Sequence, residues 1–163
     1  MYKLLFDSDS LIKVTKAEFL ENVTNSFEVY ITDDVYNETV EEGKERFYED
    51  AYKIQNLIDD NRIHVIKRSD YLKKAIPKQS FGKGEVSVLQ AHKNAYLIVT
   101  DDLSFASYLN NISIKNISSA HLITALVKKG KISKQEAYYY LENLKPLIRK
   151  EIYELVKNDI KGE

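Results

Sequence analysis

Short apolar runs alternate along this chain with longer segments in which apolar residues return every three to four positions. The short runs are rich in β-branched and aromatic residues, which favours strands. We predict five strands, at about 2–6, 27–32, 62–66, 95–100 and 112–117. The periodic segments predict helices at about 10–23, 33–60, 84–94, 103–110 and 118–130, one that opens at Ser133, and a last one from near Pro146 to Asn158. This β-α alternation predicts a parallel sheet with helices on both faces.

The two most apolar runs both end on acidic residues. The run at 2–6 leads into Asp7, Ser8 and Asp9, and the run at 95–100 leads into Asp101 and Asp102. In an open α/β sheet, active sites are built where the parallel strands end. Carboxylates gathered there repel one another unless a cation neutralises them. The pattern therefore predicts a site for a hard metal such as Mg²⁺ or Mn²⁺, which prefer oxygen ligands.

Two further acids lie where helices begin. Glu38 falls in the first turn after the second strand and would project back towards the strand ends, although a helical glutamate is ordinarily a solvated surface residue. Glu85 opens a helix just after Gly82 and Gly84, where an acid also complements the helix dipole. Both interpretations of each residue remain open.

Several polar residues in and beside these motifs can cap the start of a helix instead of serving the site. Either Asp9 or Ser10 is expected to cap the first helix, and Asp33 or Asp34 the helix after the second strand. One of Asp101 and Asp102 should face the site while the other caps the helix that follows. The hydroxyls of Ser8 and Thr100 can support a carboxylate or a bound water. Further along, Ser118 is expected to cap a helix, and Ser133 and Glu136 have capping-box spacing.

Composition narrows the class of protein without identifying a reaction. The 163 residues suit one domain, and the lack of cysteine excludes disulfides and thiolate metal sites. Neither a signal peptide nor an apolar run of membrane-spanning length is evident, so we expect a cytoplasmic protein that does not enter membranes.

Charge is divided unevenly along the chain, whose net charge is −1. Residues 1–66 hold 15 acidic and 7 basic residues, whereas residues 67–163 hold 10 and 17. A basic cluster over 67–83 suits a polyanion approaching an acidic metal site, and it equally suits a solvated surface. The histidines His64, His92 and His121 lack ligand-like spacing, so we assign them to packing.

The order of these motifs resembles PIN-domain ribonucleases, including the VapC-type toxins of toxin–antitoxin modules. The resemblance covers residues 2 to about 130 and rests on Asp7 after the first strand, Glu38 in Asp33-Asp34-Val35-Tyr36-Asn37-Glu38, Gly84-Glu85, and Thr100-Asp101-Asp102. It implies a three-layer α/β/α fold with a nuclease domain at 1–130 and a helical C-terminal extension at 131–163 packed on the same domain.

The same resemblance implies the site and its chemistry. Asp7, Glu38 and Glu85 match the first three family acids, and Asp102 matches the last better than Asp101 does. Many members have Asp where this chain has Glu85. These acids would bind Mg²⁺ or Mn²⁺ for hydrolysis of RNA phosphodiester bonds. The remaining implications are a homodimer and a cognate antitoxin. Separately, the basic cluster over 67–83 offers Lys74, Lys78 and Lys83 for contacts with an RNA backbone.

Three other functions stay open. A haloacid-dehalogenase-like phosphatase would use Asp7 as nucleophile and Asp9 as acid/base, but the Gly-Thr expected after the second Asp is absent. A receiver-like signalling domain would also gather acids and magnesium, but its paired acids and mid-chain phosphoacceptor are poorly matched. A catalytically silent PIN-fold binding protein would keep the acids without turnover.

Overall fold

The computed structural model describes residues 2–72 and 81–162. Its centre is a five-stranded sheet of order β3-β2-β1-β4-β5, and every neighbouring pair of strands is parallel. The strands are β1 (Lys3–Phe6), β2 (Glu28–Thr32), β3 (Ile63–Ile66), β4 (Tyr96–Val99) and β5 (Asn116–Ile117). The predicted α/β fold with a central parallel sheet is confirmed. Only β5 is much shorter than predicted.

The central strand is buried on both of its faces. Leu4, Leu5 and Phe6 are consecutive and fully inaccessible to solvent. Because successive side chains of a strand point to opposite faces, both faces of β1 must be covered. The helices supply this cover, as expected for an α/β sheet.

Ten α-helices surround the sheet in the described part of the chain. They are α1 (Ser8–Lys16), α2 (Leu20–Ser26), α3 (Asp33–Tyr36), α4 (Glu42–Glu45), α5 (Glu49–Asp59), α6 (Lys83–Ala91), α7 (Leu103–Asn111), α8 (Ser119–Lys128), α9 (Lys134–Leu144) and α10 (Lys150–Gly162). Short 3₁₀ turns occupy Arg68–Asp70 and Lys145–Leu147, and a π-helical turn at Asn37–Glu41 joins α3 to α4.

Two predicted helices are each interrupted. The segment 10–23 divides at Glu18 (φ 73°), and the segment 33–60 divides at Phe47 (φ 59°). In both places the chain adopts the left-handed conformation that ends many helices. Gly43, within the second of these segments, permits close packing, because a Cβ there would lie 2.8 Å from the Cβ of Ala51.

The C-terminal helices pack against the rest of the fold. Helices α9 and α10 both contact α8, and α9 also contacts α1. The capping box that opens α9 is confirmed: the Ser133 hydroxyl accepts the Glu136 amide at 3.1 Å, and the Glu136 carboxylate accepts the Ser133 amide at 2.7 Å. Within the described ranges, no helix combines the length and the apolar character that crossing a membrane would require.

Candidate active site

The strand order places a crevice between β1 and β4. The chain builds β1, β2 and β3 to one side and then returns past β1 to form β4 and β5. Ligands bind beyond the carboxyl ends of the strands at such a reversal point. A cleft of about 1130 Å³ opens there, and its lining includes all five acids proposed from the sequence, namely Asp7, Glu38, Glu85, Asp101 and Asp102.

Asp7 is the most deeply buried of these acids, at 3% exposure. Its amide still pairs with Val99 on β4 (3.1 Å), and its carboxylate accepts the Ser10 amide (3.0 Å) and so caps α1. The prediction that Asp9 or Ser10 caps this helix is therefore wrong. Burial raises the pKa of Asp7 to about 6, although hydrogen bonds from Thr100 and Ser10 oppose the rise.

Thr100 links Asp7 to the end of β4. Its hydroxyl lies near enough to the Asp7 carboxyl to lower the pKa of that group, and it accepts the backbone amide of Asp102 at 3.2 Å. Asp102 is exposed, lines the cleft, and also caps α7 by accepting the Phe105 amide at 2.7 Å. The expected division of labour, with one of the paired acids in the cleft and the other capping this helix, is wrong because Asp102 does both.

Asp101 is held by a different part of the fold. Its carboxylate accepts both the backbone amide of Ser119 (2.8 Å) and the Ser119 hydroxyl (2.6 Å) at the start of α8. Lys13 of α1 approaches it to 3.6 Å and pairs with Asp9 at 2.7 Å. Asp101 therefore has its negative charge balanced by a lysine and its oxygens engaged, whereas one oxygen of Asp102 makes no hydrogen bond or ion pair within the described residues.

Glu38 reaches the cleft from the π-helical turn. Thr39 anchors that turn by donating its hydroxyl to the Val35 carbonyl at 2.8 Å. The Glu38 carboxylate rests against Gly84, where an added Cβ would lie 2.6 Å from Oε1. Burial raises its pKa, and hydrogen bonding from the Gly84 amide opposes this. The Ser8 hydroxyl also lowers the pKa of Glu38, yet it makes no hydrogen bond of ordinary geometry in the described structure. We interpret that contact as a long one.

The helix that carries Glu85 is fixed to the end of β2. Ser87 contacts the Thr32 hydroxyl at 2.6 Å and donates to the Gly84 carbonyl at 2.6 Å. Glu85 is half-buried, and burial followed by the negative charge of Asp102 raises its pKa to about 7. Asp7, Glu38 and Asp9 add smaller contributions in the same direction. These carboxylates thus lie near enough to oppose one another's ionisation.

The donor atoms suit a hard divalent cation, but they are not gathered around one point. All are carboxylate oxygens, the ligand type that Mg²⁺ and Mn²⁺ prefer. Yet across residues 2–72 and 81–162 there is no group of three or more His, Asp or Glu side chains arranged to hold a metal ion. Any cation that binds here must therefore draw these side chains together.

The other residues predicted for the site do not all lie at the cleft. Asp9 lines the cleft with a side chain that is 63% exposed. Lys83 is an exposed residue at the start of α6, between two glycines that line the cleft. Lys74 and Lys78 lie outside the described residues.

Other cleft residues were missed from the sequence. They include Lys13, His121 and, from the C-terminal segment, Leu147, Ile148, Arg149 and Ile152. His121 was assigned to packing, but it lines the same cleft as the acids. Its position three residues after the Ser118 cap was the available signal, because that residue lies in the first turn of a helix entered from a strand end.

Comparison with known proteins agrees with this architecture. A family model described as a PIN domain matches residues 3–158, almost the whole chain. Searches of curated proteins and of solved structures find no significant match. The strand order, the cleft at the strand ends and the family match lead to one conclusion: the chain belongs to the PIN-domain family.

Proposed function

We propose that this PIN domain is a divalent-metal-dependent endoribonuclease that hydrolyses RNA phosphodiester bonds. The observation that carries the proposal is the meeting of Asp7, Glu38, Glu85 and Asp102 in one cleft at the strand ends. These acids come from four separate segments of the chain, and burial or mutual repulsion raises the pKa of three of them. An arrangement this costly to the folded protein is typical of functional sites.

In this proposal, Asp7, Glu85 and Asp102 hold Mg²⁺ or Mn²⁺ and Asp101 does not. Asp101 is instead a positioning residue, since Ser119 and Lys13 occupy its carboxylate. When bound, the cation supplies an activated water and neutralises charge on the phosphate. Thr100 lies between Asp7 and Asp102, since its hydroxyl accepts the Asp102 amide and lowers the pKa of Asp7.

Glu38 has a separate task in the same mechanism. Its carboxylate rests closely against Gly84, and its raised pKa makes it a better proton acceptor than an exposed glutamate. We therefore assign it to orienting the attacking water and receiving a proton from it. The leaving group is the 3′-oxygen of the ribose, so the products carry a 5′-phosphate and a 3′-hydroxyl.

The experiment is cleavage of a mixed structured RNA pool in Mn²⁺ or Mg²⁺, beside a phosphomonoester substrate. Cleavage of the RNA that EDTA and Asp7→Asn both abolish supports the proposal. Turnover of the phosphomonoester alone supports the phosphatase. Binding of Mn²⁺ without turnover of either supports a catalytically silent PIN domain, which the dispersed arrangement of the acids favours as the second candidate.

A role as the toxin of a toxin–antitoxin pair, with a cognate antitoxin and a homodimeric state, rests on the resemblance to VapC-type toxins alone. Inducing the wild-type chain should then arrest growth of the host cell, whereas inducing Asp7→Asn should not. Light scattering after size exclusion gives the oligomeric state in the same preparation.

A further inference from the structure

The cleft continues well beyond the acids, as a groove between α8 and α10. Its walls there include His121, Thr124 and Ala125 from α8, and Arg149 and Ile152 at the start of α10. The full cleft, at about 1130 Å³, exceeds the ~300–1,000 Å³ typical of a pocket for one small molecule. A single phosphate and its metal would leave most of it empty.

His121 presents a fixed ring to this groove. The Ser118 hydroxyl accepts the His121 backbone amide at 3.2 Å and contacts ring Nδ1 at 2.7 Å. These two contacts to one hydroxyl hold the ring against the first turn of α8. Nε2 has no hydrogen-bond partner within residues 2–72 and 81–162. The ring is therefore oriented and has one nitrogen left for a ligand.

Arg149 supplies a guanidinium that no other residue in the described part of the chain engages. Its carbonyl accepts the amides of Ile152 and Tyr153, both at 3.1 Å, so its backbone is fixed at the start of α10. Its side chain is exposed and makes no ion pair or hydrogen bond with another described residue. A guanidinium fork matches the oxygens of a phosphate better than any other side chain does.

Between these polar groups the groove is apolar, and its charge changes along its length. Ile117, Ile148 and Ile152 are half-buried residues of the lining. Carboxylates follow the strand ends, Arg149 directly precedes α10, and Lys128 and Asp159 add one charge of each sign near the far ends of α8 and α10. An apolar surface that shares a cleft with acidic and cationic groups matches a nucleotide, whose base has apolar faces and whose ribose carries the phosphates.

We propose that the groove between α8 and α10 binds the nucleotide that flanks the scissile phosphate, with Arg149 and His121 contacting its phosphate and the isoleucines contacting its base. This inference rests on the proposed nuclease function and gives the C-terminal segment a role in holding single-stranded RNA. Both residues bind substrate and take no part in the chemical step.

The test measures RNA binding separately from RNA cleavage. Binding of a short fluorescent single-stranded RNA to the full chain carrying Asp7→Asn is followed by anisotropy over a range of salt concentrations, without divalent ions. Added Arg149→Gln should weaken binding about tenfold. It should also reduce the salt slope by about 0.7, the value for one lost phosphate contact on a single strand. Added His121→Asn should weaken binding severalfold, and thermal melting checks that each variant is folded.

The matched control is Lys150→Gln. It removes an equal charge from the adjacent, equally exposed residue, which does not line the cleft. It should leave the affinity within about twofold of the parent, because an exposed charge away from the contact acts only through screened electrostatics. In the wild-type background, Arg149→Gln should raise KM for RNA cleavage and leave kcat nearly unchanged.

Each outcome has one meaning. A parent that does not bind RNA, or variants that bind with the parent's affinity and salt slope, would overturn the groove assignment and leave the groove for a protein partner. Equal losses in Arg149→Gln and Lys150→Gln would also overturn it, since they indicate general charge attraction. Binding losses confined to Arg149 and His121, in a wild-type protein that cleaves no RNA, would keep the groove and refute the nuclease.

Discussion

Replacing Asp7 by Asn should stabilise the metal-free protein at neutral pH. Asn keeps the size of the side chain and an oxygen that can accept the Ser10 amide, so the cap of α1 survives. The substitution removes a negative charge from a residue that is only 3% exposed. Because burial raises the pKa of Asp7 from 3.8 to about 6, the folded protein pays for ionising this group.

The magnitude follows from the size of that rise. Each pKa unit corresponds to about 1.4 kcal/mol, so ionised Asp7 costs the fold up to about 3 kcal/mol, and relaxation of the site would leave roughly 1–3. The sign follows from proton binding. Between pH 3.8 and about 6 the folded state holds the proton more tightly than the unfolded state. The associated stability is therefore complete below pH 3.8 and is lost as the pH rises through about 6.

The assay is urea denaturation in EDTA at a series of pH values. Asp7→Asn should be the more stable protein at pH 7.5, by roughly 1–3 kcal/mol, and this advantage should shrink as the pH falls towards 4. Asp9→Asn is the matched control. Its exposed ion pair with Lys13 is worth at most about 1 kcal/mol, so its loss should destabilise slightly or not at all.

Adding Mn²⁺ should reverse the order of the two proteins. A ligand that binds only the folded state stabilises it by mass action, and the wild type should gain this stabilisation while Asp7→Asn does not. The reasoning is refuted if Asp7→Asn is less stable than wild type in EDTA at pH 7.5, or if the difference between them does not change with pH.

Three further outcomes are expected at the same site. Gly84→Ala should keep the fold and impair RNA cleavage, because the added Cβ would lie 2.6 Å from the Glu38 carboxylate. Gly82→Ala is its control: the atom nearest to the added Cβ is 3.9 Å away, so activity should be retained. Calorimetric affinity for Mn²⁺ should fall about tenfold per pH unit below about 7, where Glu85 takes up a proton; a flat profile would contradict its role as a ligand. Asp9→Asn should largely preserve RNA cleavage, whereas a phosphatase using Asp9 as its acid/base would lose all turnover.

The sheet was predictable because a strand's apolar run and the acid that ends it are adjacent in sequence. The residues at which helices end were harder to predict. In the described structure, left-handed residues lie at Glu18, Phe47, Asn61 and Ser113 as well as at Gly130. Only Gly130 and Asn61 are of the residue types that usually signal such an end. Phe47 is 86% exposed and is not a residue type that favours this conformation, so a sequence pattern could not reveal the break.

The site was predictable only in part, for a related reason. The acids were found because each follows a strand or opens a helix. That one acid would fill two roles was not predicted. A carboxylate can cap a helix and still face a cleft, as Asp7 and Asp102 do. Lys13 and Arg149 reach the cleft through the packing of α1 and α10 around α8, which no local pattern encodes.

The chemistry of the cleaved ends tests the central claim most directly. RNA labelled at its 5′ end is incubated with the wild-type protein in Mn²⁺, and the 3′ ends of the fragments are identified. Attack by an activated water predicts 3′-hydroxyl ends on those fragments and 5′-phosphates on the others, with no cleavage in EDTA or by Asp7→Asn. Fragments ending in 2′,3′-cyclic phosphate, or cleavage that persists in EDTA, would contradict the account.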